Sequence, residues 1–219
     1  MVLKFFWLAA TFLFISCADF ERDNPEDQHS IKYVANQLTY DAVTIGTQVW
    51  MARNLNYNVS GSVCYNWNEA HCAIYGRLYD WATAMNLPDS CNSSSCASQV
   101  GTKHKGICPS GWHIPNYDDL TMLIDFVGSP TATKLKATSN WLLYNGIKGT
   151  DNYGFSALPG GYSISGGFDY VGEGGYWWSS DGLDDCAHAL EIWYAQEDAE
   201  YGGPYKDKSF LYSVRCVKD

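Results

Sequence analysis

Eight cysteines stand behind an apolar leader, and that combination constrains this chain more than any other feature. They are Cys17, Cys64, Cys72, Cys91, Cys96, Cys108, Cys186 and Cys216. An exported polypeptide tends to pair its thiols, whereas a cytosolic one keeps them reduced or on a metal. Two pairings are local. Cys64 and Cys72 bracket Tyr-Asn-Trp-Asn-Glu-Ala-His, and Cys91 and Cys96 bracket Asn-Ser-Ser-Ser. Loops this polar hold few apolar contacts, so a covalent staple orders them well. Joining Cys108 to Cys216 closes a loop of about 108 residues, where the chain-entropy gain is largest, about 4–5 kcal/mol. Cys186 is then odd. It follows Asp184-Asp185, which raise a thiol pKa and blunt its nucleophilicity. A buried, inert thiol is expected there, with a reactive one as the alternative. The spacing Cys91-x₄-Cys96 has no matching second pair, so no zinc site or other metal is expected.

Residues 1–16 read as a signal peptide. Lys4 gives a short positive start, and Phe5 to Ile15 is an apolar run too short to span a bilayer, which needs about 20 residues. Ser16-Cys17 ends the run in the manner of a lipobox, although Leu13 sits one place upstream of the usual slot. Acylation of Cys17 would then fasten the protein to a membrane, since each buried CH₂ gains about 0.8 kcal/mol. The alternative is ordinary cleavage near Ala18. Residues 17–38 are polar and acidic, with no apolar period, and read as a flexible tether. An exported, envelope-located protein is expected, on the outer membrane or cell surface.

Residues 39–219 carry the fold. Apolar residues are 46% and charged residues 17% of the chain, a balance that demands a packed core. The formal net charge of −10 repels phosphate backbones, so nucleic acid is not an expected partner. Val43 and Ile45, a Gly46-Thr47 turn and Val49 to Met51 predict a hairpin. Leu78, Trp81, Ala82 and Met85 recur at helical spacing. A second helix is predicted from Asn116, which can cap it, with Asp118 and Asp119 in its first turn. Leu120, Leu123, Ile124 and Val127 form its apolar face, and Gly128 stops it. Thr133 to Thr138 suggests one further helical turn. Beyond residue 139, short strands are predicted at Phe155–Leu158, Tyr176–Ser180, Ala187–Tyr194 and Phe210–Val217. Two helices followed by a strand-rich half make an α+β domain.

Six strings then occur in a fixed order: Thr-Ile-Gly-Thr-Gln-Val-Trp-Met-Ala-Arg-Asn-Leu-Asn-Tyr from Thr44, Tyr-Gly-Arg-Leu-Tyr-Asp-Trp-Ala-Thr-Ala-Met from Tyr75, Cys-Pro-Ser-Gly-Trp-His-Ile-Pro from Cys108, Tyr-Gly-Phe-Ser-Ala-Leu-Pro-Gly-Gly-Tyr from Tyr153, Gly-Tyr-Trp-Trp-Ser-Ser from Gly175, and Ser-Val-Arg-Cys-Val-Lys-Asp from Ser213. In these the chain closely resembles the Fibrobacter succinogenes major paralogous domain family, from about residue 40 to the end. That family is bacterial, exported and often lipid-anchored, and is similar to the C-type-lectin-like superfamily, which includes the formylglycine-generating, sulfatase-modifying enzymes. The resemblance implies a C-type-lectin-like domain, with two main helices around a twisted antiparallel sheet and long irregular loops. It also implies that Cys216 bridges back toward the segment holding Trp112-His113-Ile114-Pro115, in agreement with the Cys108–Cys216 loop.

No reaction is indicated. A formylglycine-generating activity needs a redox pair of cysteines, and Cys186 stands alone. A serine hydrolase needs a nucleophile elbow, and Gly-Gly-Tyr-Ser-Ile-Ser-Gly-Gly at 160–167 does not match it. Calcium-dependent sugar binding in that superfamily uses Glu-Pro-Asn or Gln-Pro-Asp strings, which this chain lacks. The acidic Asp181-Gly182-Leu183-Asp184-Asp185 is read as a solvated turn. No catalytic residue and no cofactor is therefore expected. The functional hint is an excess of rings, with 9 Trp, 16 Tyr and 9 Phe. Tyr65, Trp67, Trp141, Tyr144, Tyr162, Tyr170, Tyr201 and Tyr205 stand in glycine-rich or polar stretches where full burial is harder. In Ala187–Tyr194, alternation sets Leu190 and Ile192 on one face and Glu191 and Trp193 on the other. Trp177 and Trp178 point to opposite sides, so at least one is core. Tyr170, Trp178, Glu191 and Trp193 are the candidate ligand-binding residues. The expected partners are the membrane, through the lipid, and either polysaccharide or an envelope protein.

Overall fold

The computed structural model describes residues 31–219 apart from 36, 37, 202 and 204. The leader, Cys17 and the first part of the tether lie outside the described residues. Strand β1 (Ile31–Ala35) and the first residue of β2 (Leu38–Ile45) fall within the stretch read as tether. They pair antiparallel. β2 turns into β3 (Gln48–Met51) through Gly46-Thr47, the hairpin read from the sequence. Gly46 has φ +62°, as the first residue of a two-residue hairpin turn requires, and a Cβ there would lie 2.9 Å from the Phe126 ring.

Four helices follow. α1 (Glu69–Tyr75) was not foreseen; Asn68 caps it by accepting from the Ala70 N–H at 3.0 Å. α2 (Trp81–Met85) is shorter than its apolar spacing suggested. Asp80 caps it, accepting from the Thr83 N–H at 2.8 Å. Leu78 and Tyr79 instead form bridges, to Val63 and Tyr212. After the short β4 (Trp112–His113) comes α3 (Tyr117–Val127), opened by a reciprocal cap in which the Asn116 side chain accepts from the Asp119 N–H and Asp119 accepts from the Asn116 N–H. Leu120, Leu123 and Val127 are buried, and Gly128 closes it as expected. α4 (Thr131–Leu135) starts earlier than Thr133 because Asp198 accepts from the Thr131 N–H at 2.9 Å.

The second half is built from β5 (Gly160–Ile164), β6 (Gly167–Val171), β7 (Gly174–Leu183), β8 (Cys186–Trp193), β9 (Lys206–Asp207) and β10 (Val217–Lys218). The sheets have orders β1-β2-β3-β10-β4, β5-β6 and β7-β8-β9, with antiparallel pairing throughout. The architecture is α+β. Among the described residues, four α-helices and three sheets stand where two main helices around one sheet were expected. Phe155–Leu158 is not a strand; Ala157 makes a single bridge to Lys136. The run Phe210–Val217 pairs by isolated bridges at Leu211, Tyr212 and Ser213 before reaching β10. It threads between the two larger sheets, since Leu55 N–H donates to Val214 O and Trp178 N–H to Ser213 O.

The β7–β8 ribbon separates two apolar cores. Tyr176, Trp178, Ala187 and Ala189 belong to one, with Tyr79, Trp81, Met85 and Tyr212. Trp177, Leu190 and Ile192 belong to the other, with Trp50, Leu123 and Phe155. Both tryptophans of the pair are therefore core. All three foreseen disulfides are present: Cys64–Cys72, Cys91–Cys96 and Cys108–Cys216. Cys186 is the free thiol among the described residues. It is partly exposed rather than buried, because β9 covers only part of its edge. Partial burial and the neighbouring Asp185, which accepts from its thiol, push its pKa up.

A second fastening lies beside Cys108–Cys216. The buried His113 ring is held between Asp219 at 2.8 Å and Asp119 at 3.1 Å. Burial alone favours the neutral ring, but the two carboxylates outweigh it and raise the His113 pKa. A raised folded-state pKa stabilises fully below the unfolded value and loses that contribution as pH rises through the folded value. Urea unfolding across that alkaline flank should show stability falling in the wild type and a flatter profile in His113→Gln. Equal slopes would refute the clamp.

Candidate ligand-binding site

The site grows from the register of β7 on β8. Tyr176 pairs with Glu191, Trp178 with Ala189 and Gly174 with Trp193, which sets Tyr176, Trp178, Glu191 and Trp193 on one face. Gly174 leaves the place opposite Trp193 free of a side chain. The Tyr176 phenol fills it, and a Cβ at 174 would lie 2.8 Å from the Tyr176 hydroxyl. From there the rings run outward. Trp178 meets Tyr212 at 4.4 Å between centroids, Tyr212 stacks on Tyr176 at 5.0 Å, and Tyr176 meets Trp193 edge-on at 5.6 Å. Trp193 meets Tyr170 at 5.1 Å, and Tyr162 lies 5.6 Å from both Tyr170 and Phe210.

Tyr170 reaches this cluster through its backbone. Regular alternation would place it on the Phe168 side of β6, where Phe168 meets Tyr65 and Trp67. Instead φ is +63° at Tyr170, and its ring sits with Tyr162 and Trp193. A left-handed conformation costs a non-glycine residue about 1–2 kcal/mol, so the surrounding fold holds this ring where it is. Tyr170 remains 42% exposed, while Trp193, Tyr162 and Phe210 are half-buried.

Glu191 forms the polar floor. It is 7% exposed and pairs with Lys206 at 2.6 Å. Burial raises its pKa, and the Lys206 ammonium opposes the rise. The Tyr176 hydroxyl beside it is buried without a hydrogen-bond partner.

Of the sequence-derived candidates, the structure brings Tyr170, Trp193 and Glu191 together at a surface. Trp178 lies on the same face but is fully buried, its indole N–H donating to Tyr79 O at 2.8 Å. It supports the cluster from below and cannot touch a ligand, because Tyr212 and Tyr79 cover it. Tyr162, Phe210, Tyr176 and Lys206 complete the site. Tyr162 stood among the loop aromatics, but no local signal joined the others to it, since they arrive from separate segments.

The remaining loop aromatics disperse. Tyr65 is buried, Trp67 is 68% exposed beside Phe168, and Tyr205 lies 4.0 Å from the His188 ring. Asp181 accepts from the Tyr117 N–H and the Ser179 hydroxyl at the edge of a polar cavity of about 350 Å³. Among the described residues Cys64, Glu69 and Cys72 come within metal-binding reach of one another. Their sulfurs are bonded together and Glu69 is paired with Arg77 at 2.8 Å, so this is a staple. The sequence matches the family described as Fibrobacter succinogenes major domain over residues 43–218. No curated protein and no solved structure matches the chain.

Proposed function

The chain belongs to the Fibrobacter succinogenes major domain family, and from that premise we propose a non-enzymatic, lipid-anchored protein of the cell envelope whose domain binds polysaccharide. The observation that carries this reading is the exposed Tyr170, held in a left-handed conformation against Trp193 on a base of buried rings. Tyr and Trp offer a rigid apolar body with a polar handle, suited to the C–H faces and hydroxyls of a sugar. A net charge of −10 favours a neutral polymer over an anionic one. Three disulfides leave a single free thiol among the described residues, which supports this reading over a two-thiol enzyme of the sulfatase-modifying type. The antiparallel sheets, flanking helices and Cys108–Cys216 closure support a C-type-lectin-like arrangement as part of the same proposal.

The mature chain, incubated with a panel of insoluble neutral polysaccharides, should be depleted from solution by at least one of them. Binding to none of them, and to none of the matching soluble oligosaccharides, would remove the carbohydrate reading. A protein-binding envelope module, favoured by the exposed Met122 and Phe126 on α3, would then take its place. The anchor is tested separately. Intact mass of protein from the membrane fraction should show a diacylglyceryl adduct on Cys17, and an unmodified chain beginning near Ala18 would overturn it.

A further inference from the structure

Resting on the saccharide reading above, we infer that the Tyr170–Trp193 site takes a single, separated saccharide chain or its end, and not the flat face of a crystalline polymer. A crystalline face presents sugar rings in one plane, and a matching protein surface needs side-by-side coplanar rings. Here neighbouring rings turn away from one another. Tyr170 is inclined by 41° to Tyr162 and by 76° to Trp193. The one nearly parallel surface pair, Tyr162 and Phe210 at 15°, is stacked with its centroids 5.6 Å apart, so the two rings lie in stepped planes rather than in one platform.

The polar groups point the same way. The Glu191–Lys206 pair belongs to the floor of the cluster and not to a rim spread along a surface. The Tyr176 side chain beside Trp193 is buried, and its hydroxyl lacks a protein hydrogen-bond partner. A buried hydroxyl left unsatisfied costs about 1–3 kcal/mol, and a sugar hydroxyl inserted at the corner between the rings, directly or through one water, would satisfy it. A chain locked in a crystal has its hydroxyls bonded to neighbouring chains and cannot turn one inward. Tilted walls and a recessed polar floor suit one sugar unit entering edge-first.

The test uses the mature chain and β-1,4-glucan, β-1,4-mannan and β-1,4-xylan. Each is supplied as soluble hexasaccharide and as amorphous insoluble polymer, with microcrystalline cellulose as the flat surface. Soluble binding is read by tryptophan fluorescence and insoluble binding by depletion. The expected result is binding of at least one hexasaccharide, and roughly tenfold weaker retention on the crystalline polymer than on an amorphous one. Tyr170→Ala, at an exposed position, should abolish the fluorescence response. Retention on crystalline cellulose at or above the amorphous level would overturn this inference and leave the saccharide reading standing. Failure of every soluble and insoluble form would overturn the saccharide reading and the inference with it.

Discussion

Replacing Cys108 and Cys216 together by serine should lower the unfolding free energy of the domain by about 4–5 kcal/mol. The bridge spans 108 residues, against 8 and 5 for the two local pairs. Cross-linking removes most conformational freedom from the unfolded chain when the closed loop is long, so the local staples should cost less to remove. Both sulfurs are buried, and the segment leading to Cys216 lies between the sheets, with the Met51 N–H donating to Cys216 O at 3.1 Å. Paired serines there leave hydroxyls in an apolar core, which adds to the loss. Denaturant unfolding of oxidised wild type against the double variant measures it. A loss no larger than that from Cys91→Ser with Cys96→Ser would mean that the long bridge is not the main clamp.

Asn54→Ala should cost about 3–5 kcal/mol, by the logic of stripping the partner from a buried charge. Arg215 is fully buried, lying 4.3 Å over the Phe155 ring, and its hydrogen bonds go to neutral oxygens. The Asn54 side-chain oxygen accepts from Arg215 Nε at 3.2 Å, Arg215 Nη2 at 2.6 Å and the Trp177 indole at 2.7 Å. Its amide donates to Tyr75 O at 2.8 Å and to the Ser213 hydroxyl at 3.2 Å. One side chain thus ties β3's end, α1, β7 and the C-terminal segment. Alanine leaves a guanidinium and an indole short of acceptors, whereas Asn54→Asp keeps the oxygens and sets a carboxylate on Arg215. Denaturant unfolding should show alanine as the worse of the two. A loss below about 1 kcal/mol for alanine would show that the remaining carbonyls suffice.

Features specified by neighbouring residues were legible in the sequence. Gly46-Thr47 dictates its hairpin, and Asn116 with Asp119 dictates the start of α3. Cysteine spacing gave the two local bridges, because each encloses a loop that cannot hold itself, and the Cys108–Cys216 bridge came from the length of the loop it closes together with the family resemblance. Features decided by distant chain were not legible. Trp178 was rightly placed opposite Trp177, but alternation does not reveal that both faces of the ribbon are covered. That depends on Tyr79, which is 99 residues away and accepts from the Trp178 indole. The β5–β6 hairpin hides in glycines and polar residues with little apolar alternation. Tyr170 was a candidate ligand-binding residue from the sequence, but nothing local announces the positive φ that places its ring. Its association with Trp193 and Glu191 exists only after β6 and β8 have met through β7.

The most direct measurement compares wild type with Trp193→Ala and Tyr170→Ala for depletion by whichever polysaccharide the wild type binds, with unfolding followed on the same samples. Either substitution should reduce retention at least roughly tenfold, equivalent to about 1.4 kcal/mol. For Tyr170→Ala the unfolding midpoint should change little. Retention equal to wild type in both variants, with the fold intact, would contradict the assignment of this aromatic face as the binding site.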